Sequence, residues 1–169
     1  HITNIGDYAF YDGDAISSVT LPISITSIGN AAFRECDGLT SINIPDGVVE
    51  IKDYAFYRCS NLTSITLPNS LRSIGISAFY NCKQLTSIAI PADVISIGQS
   101  VLANCSGLLS ITMPSSISSS KLEEIFNDCT SLKTVKFRNM ESFDDCLSIL
   151  CSKRYPAATA TFYLNDAVI

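Results

Sequence analysis

Histidine occurs once in the 169 residues, at position 1, so neither a Ser–His–Asp nor a Cys–His arrangement can form inside the folded chain. Charge is scarce too. Only 16% of residues are charged, the net charge is -5 and the pI is near 4.7. No basic run is longer than the Lys153–Arg154 pair in "SKR". Nucleic acid and anionic membrane surfaces both need clustered positive charge, so neither is an expected partner. Apolar runs stop far short of the roughly 20 residues that span a bilayer, and this segment is not expected to insert into one. Phosphate-binding loops and dinucleotide fingerprints are missing. Glu123/Glu124 and Asp144/Asp145 are adjacent in sequence and read as solvated surface, not as a pair closing on one bond.

What is present in quantity is repetition. "AFYRCSNLTSITLP" (55–68) has counterparts in "AFYDGDAISSVTLP" (9–22), "AFRECDGLTSINIP" (32–45), "AFYNCKQLTSIAIP" (78–91) and "VLANCSGLLSITMP" (101–114). Pro22, Pro45, Pro68, Pro91 and Pro114 keep a step of 23, as do Cys36, Cys59, Cys82 and Cys105, with Cys129 one residue late. Phe10, Phe33, Phe56 and Phe79 form a further column, continued by Leu102 and Phe126; Gly6, Gly29, Gly75 and Gly98 form another, broken by Lys52. Fixed self-similarity at this period is the mark of a solenoid. The unit is I-x-x-I-G-x-x-A-F-x-x-C-x-x-L-x-S-I-x-I-P.

Each part of the unit has a local reading. In "LTSINIP" (39–45) Leu39, Ile42 and Ile44 alternate with Ser41 and Asn43, the pattern of a half-buried strand. Pro45 has no N–H to donate, so pairing is expected to stop there. Val48 and Ile51 suggest a second, shorter strand, and Gly29 and its equivalents a tight bend. Phe33, Cys36 and Leu39 lie three apart, which predicts a short helical or 3₁₀ turn. One coil cannot bury its apolar face alone, so each is expected to stack on the next through ladder hydrogen bonds and side-chain columns. The expected fold is an α/β solenoid with a parallel sheet, about 23 residues per coil. It forms a single domain over 1–169, with regular coils over about 2–137 and a capping coil over about 138–169. Within the last part, 115–129 reads as a charged helical insertion, "FDDCLSILC" (143–151) as a helical turn and "ATATFYL" (158–164) as a final strand. Ile2 and Ile5 are already in register, so the chain is expected to continue upstream or to follow a removed domain.

The seven cysteines do not fit a metal site, which uses closely spaced C-x₂₋₄-C pairs. Their odd number and shared inward column, with side chains parallel, favour buried free thiols behaving as small hydrophobes. Cys146 and Cys151 fall outside the ladder and carry no assignment. Asp12, Asp14, Asp37 and Asp46 lie at turns, where Asp serves the backbone; no EF-hand spacing accompanies them. No metal, cofactor or catalytic residue is expected, and the chain does not read as an enzyme.

Two outward columns are the candidate binding surface. One is hydroxyl-rich: Ser18, Ser41, Ser64, Ser87, Ser110 and Thr134, beside Thr20, Asn43, Thr66, Ala89 and Thr112. The other follows the Phe column: Tyr11, Arg34, Tyr57 and Tyr80, extended by Tyr8 and Tyr54. Tyr and Arg are enriched at binding hot spots. The residues put forward are Tyr11, Arg34, Tyr57, Tyr80, Ser41, Asn43, Ser64, Thr66 and Ser87.

With its "LTSITLP" strand, its I-G pair and its "AFYRC" turn, the unit resembles the leucine-rich repeats of BspA-like (Treponema-type) bacterial surface proteins, over about residues 2–137. The resemblance implies a right-handed leucine-rich repeat solenoid whose strand hydroxyls face the concave side. Cys takes an internal place, and the Asn of other leucine-rich repeats is missing. It also implies a secreted or cell-surface protein of host-associated bacteria or parasitic protists. The expected role is non-catalytic adhesion or recognition, with host extracellular matrix or cell-surface proteins as partners. A carbohydrate-binding surface and a structural spacer presenting another domain are the alternatives.

Overall fold

A computed structural model describes residues 1–114, 116, 124–138, 161–164 and 167–168 of the chain. Each of the first five coils contributes two short strands, because each carries two short apolar–polar alternations. The first set is β1 (Asn4–Ile5), β3 (Ser27–Ile28), β5 (Glu50–Ile51), β7 (Ser73–Ile74) and β9 (Ser96–Ile97), joined in that order in one parallel sheet. The second set is β2 (Ser18–Val19), β4 (Ser41–Asn43), β6 (Ser64–Thr66), β8 (Ser87–Ala89), β10 (Ser110–Pro114), β11 (Thr134–Arg138) and β12 (Thr161–Leu164). It is hydrogen-bonded in two blocks, β2-β4-β6 and β8-β10-β11-β12, with β6 and β8 side by side. Registers repeat the sequence period: Ile42 faces Ile65, and Ile88 faces Ile111. In β4, β6 and β8 the central Ile is buried and its two neighbours are exposed, as alternation requires.

The proposed final strand exists as β12, parallel to β11. A hairpin partner, β13 (Ala167–Val168), pairs antiparallel with it; the turn-favouring Asn165–Asp166 between them was the available signal. The helical turn read at 143–151, most of the insertion at 115–129, and Cys146 and Cys151 lie outside the described residues. Ile125, Phe126 and Cys129 do return to the core, at 1%, 2% and 1% exposure.

Three local expectations are corrected. The segment around "AAFREC" is a turn ladder and not a helix; among the described residues helix is confined to 124–125. The Ala32, Arg34 and Cys36 N–H groups donate three residues back, while those of Ala31, Phe33 and Glu35 donate to Asp53, Ala55 and Tyr57 of the next coil. A helix would use every N–H within itself; here every second one goes to the neighbour. This alternation puts Ala31 and Glu35 at φ 50° and 59°, and the same two columns are left-handed in the neighbouring coils.

Pairing does stop before Pro45, but at Pro114 the strand runs through it, opposite Arg138. There the adjoining strand is itself longer, and proline still offers its carbonyl. The glycine column does not supply positive φ, since only Gly47 has it (114°). Its role is close approach. A Cβ on Gly29 would lie 2.7 Å from the Asp7 nitrogen, and one on Gly75 2.5 Å from the Asp53 nitrogen. The Asp7 and Asp53 carboxylates reach across to the Asn30 and Ile76 N–H groups, both at 2.7 Å. Lys52 takes the glycine place in the next coil after Gly29, where the preceding coil carries Asn30 in the Asp7 and Asp53 column, its side-chain amide turned to Asp7.

Phe10, Phe33, Phe56 and Phe79 stack through the core with centroids 4.9, 5.2 and 5.4 Å apart and planes within 13°. Beside them runs the cysteine column. Cys36, Cys59, Cys82, Cys105 and Cys129 are free and buried. Each thiol is aimed at a carbonyl of the preceding coil: Phe10 (2.8 Å), Phe33 (3.0 Å), Phe56 (3.2 Å), Phe79 (3.1 Å) and Leu102 (3.2 Å). Serine would bury a strong hydroxyl and alanine would leave the carbonyl a partner short, so a small, weakly donating thiol suits the place. Burial pushes the Cys59 and Cys82 thiols well above their ordinary value and Cys129 up to about 12.

Gly75→Ala should lower unfolding stability by about 1–3 kcal/mol through backbone overpacking. Gly6→Ala in the same column has nothing within 4 Å and should change it by less than about 0.5 kcal/mol; denaturant titration of both variants checks the contrast. The five column thiols should resist thiol reagents in the native state and react on unfolding. At Cys36, Cys59, Cys82 and Cys129, whose thiols burial pushes up, the folded state holds the proton past about pH 8.5, where unfolded thiols release it. Stability is therefore full below that pH and should fall as pH rises, by roughly 1.4 kcal/mol per unit for each such thiol. Denaturation midpoints measured from pH 7 to 10 test the sign.

Candidate functional site

Left-handed backbone on both sides of the Phe column throws one residue per coil outward between them. These residues are Tyr11, Arg34, Tyr57 and Tyr80; Ala103, at the same place in the next coil, is buried. The coil spacing stacks them. Tyr57 and Tyr80 lie face to face, centroids 4.9 Å apart and planes 7° apart. The Arg34 guanidinium sits between Tyr11 (5.6 Å) and Tyr57 (5.0 Å), a cation–π sandwich. Tyr11, Arg34, Tyr57 and Tyr80 are therefore brought together as one ladder. Tyr8 and Tyr54 flank it, edge-on to Tyr11 and Tyr57 at 6.1 and 5.7 Å.

The sequence did not single out the groups that hold this ladder in place. Glu35 accepts from the Tyr11 hydroxyl (3.1 Å) and pairs with Arg34 (3.3 Å) and Arg58 (3.8 Å). At the far end the Asn104 side-chain amide donates to the Tyr80 hydroxyl at 2.7 Å. Both belong to the column Asp12, Glu35, Arg58, Asn81, Asn104, all left-handed. Its Asn and Asp members were the legible signal for that conformation. The bond to Glu35 holds the Tyr11 phenol above its ordinary pKa. Beside the ladder runs an open groove of about 400 Å³ between Asp12, Asp14, Asp37 and Lys83, with the Glu35–Arg58 pair, Ser60 and Asn81 along it. Asp37 serves the backbone as expected, accepting from the Ser60 N–H at 3.1 Å. Asp7 and Asp53 do so more closely.

The hydroxyl column forms a separate face. Ser41, Asn43, Ser64, Thr66 and Ser87 are exposed on β4, β6 and β8, with Ser110 and Thr134 half-buried farther along. The structure does not bring these residues to the tyrosine ladder; strand and turn are different sides of the coil. Among the described residues no group of His, Cys, Asp and Glu is arranged to hold a metal, and no helix is long and apolar enough to cross a membrane.

The BspA type leucine rich repeat region matches residues 3–133 in six copies. The chain belongs to this family. A leucine-rich repeat protein of T. pallidum is 31% identical, with a TM-score of 0.73 over 80% of this chain and 66% of that one. One from Bacteroides ovatus is 29% identical, with a TM-score of 0.74 over 98% of this chain and 42% of that one. The BspA-type chain thus spans about two thirds and less than half of these two relatives. The fold is shared with the pneumococcal vaccine antigen PcpA (24% identical, TM-score 0.70, 88% of this chain and 36% of that one). It is also shared with a leucine rich cell surface protein of Faecalibacterium prausnitzii (22%, TM-score 0.53, 88% and 54%). Among curated proteins none matches. Family membership accounts for the solenoid.

In this BspA-type chain, Glu35→Gln should bring the Tyr11 phenol back down towards its ordinary value, because the acceptor charge that holds its proton is removed. An NMR titration of ring-labelled tyrosine reads the shift, with Tyr11→Phe identifying the signal.

Proposed function

We propose that the chain is a non-catalytic recognition module of a secreted or cell-surface bacterial protein, which attaches to proteins of the host matrix or of other cells. Family membership supports a scaffold that displays surface, not one that builds a reaction centre. The observation that carries the protein-binding reading is the packing of Tyr57. Arg34 and Tyr80 cover its two faces, so the ladder offers ring edges, hydroxyls and a guanidinium. A sugar ring seeks a free aromatic face, whereas protein hot spots use amphipathic Tyr and Arg in this way.

The test is solution binding to a panel of extracellular matrix and plasma proteins, run beside a glycan array. Saturable binding to a protein is expected, and Tyr57→Ser combined with Tyr80→Ser should weaken it about thirtyfold or more, the scale of a hot-spot loss. Unchanged affinity in the double variant removes the ladder from the reading. A glycan hit alone, mapped by Ser64 and Thr66 variants, moves the site to the hydroxyl face. Silence on both from a folded sample favours a spacer.

A further inference from the structure

Two tyrosines flanking the ladder stand where the backbone least suits them. Tyr8 and Tyr54 have φ of 57° and 58°, while the intervening and following coils use Ala31, Ser77 and Ser100 in the same column. Left-handed backbone is costly for a bulky side chain. Both rings are exposed, at 61% and 39%, so core packing does not require them. Aromatic rings kept there widen the ladder into a strip about four coils, or roughly 15 Å, long.

Charge changes sign along this strip. Asp12, Asp14 and Asp37 border the groove beside the first two coils, and Lys83 borders it at the fourth. Glu35 is occupied by Tyr11, Arg34 and Arg58. No ion pair joins Asp12, Asp14 or Lys83 among the described residues. The groove wall is polar, with Ser60, Asn81 and Arg58, the last paired to Glu35, between these charges. A helix satisfies its own backbone and docks through an apolar groove; an extended chain brings free N–H and C=O groups that need polar partners. A strip this short also lies below the roughly 800 Å² per partner that a globular interface buries.

We propose that the strip binds an extended polypeptide segment of about five residues, basic at the end over Asp12, Asp14 and Asp37 and acidic at the end over Lys83. Its side chains lie against the exposed edges of Tyr8, Tyr54 and Tyr80. This names the partner chemistry for the recognition role above and rests on it.

The test uses fluorescent nine-residue peptides with a neutral Gly/Ser/Pro centre: basic-to-acidic in both chain directions, all-basic, and all-acidic. Fluorescence anisotropy with the whole chain should show one mixed-charge peptide binding at least tenfold more tightly than the all-acidic one. Lys83→Glu should transfer that preference to the all-basic peptide, Asp14→Lys should weaken the mixed peptide several-fold, and the Tyr57→Ser/Tyr80→Ser variant should lose it. Circular dichroism melts confirm that each variant is folded. Equal binding of all peptides, no binding of any, or a preference that Lys83→Glu leaves unchanged overturns the segment proposal. Protein binding in the matrix panel would still stand in those cases, so the two failures are separable.

Discussion

Every second N–H in the turn segment lacks an acceptor in its own coil, and the next coil supplies it. Phe10 donates to Ala32 and Phe33 to Ala55 at 2.7 Å, and Phe56 to Ala78 at 2.8 Å. With the two strand ladders, this third ladder ties neighbouring coils backbone to backbone. The coil-to-coil distance is then set by peptide hydrogen bonding and not by side-chain size. The side-chain columns must live within that spacing.

The consequences differ by column. Phenylalanine accepts the spacing and stacks nearly parallel at about 5 Å, whereas free aromatic pairs favour offset or edge-on contacts. Glycine at 29, 75 and 98 yields to it, since a Cβ would press on the preceding backbone. Cysteine exploits it by turning a weak donor onto the Phe carbonyl one coil back. The Cys59 and Cys82 thiols stay protonated because desolvation, the largest influence on them, disfavours the thiolate.

On the outside the same spacing makes surface. Tyrosine and arginine on successive coils are close enough to stack, so a column that would be scattered on a globular protein becomes a stiff ladder. Glu35 and Asn104 pin its two ends. Stiff, amphipathic side chains lose little freedom on binding. The strand face, by contrast, carries small hydroxyls that bury nothing of their own.

Period, strand alternation, inward columns and free thiols were legible in the residues, because each is a local pattern repeated. The sequence by itself determined that Phe33, Cys36, Leu39 and Ile42 face in and that Tyr57 and Ser64 face out. It could not decide what happens between coils. The turn that spacing three apart suggested as helical became a ladder, because acceptors 22 residues ahead competed with those in the same coil. The glycines suggested as bends proved to be contact points, and strand β10 ran through Pro114 because its neighbour was long enough to pair. Tertiary structure also decided that the tyrosine and hydroxyl columns lie on different sides of the coil. Spacing in sequence fixes which residues stack; only the path of the coil in space fixes which stacks meet.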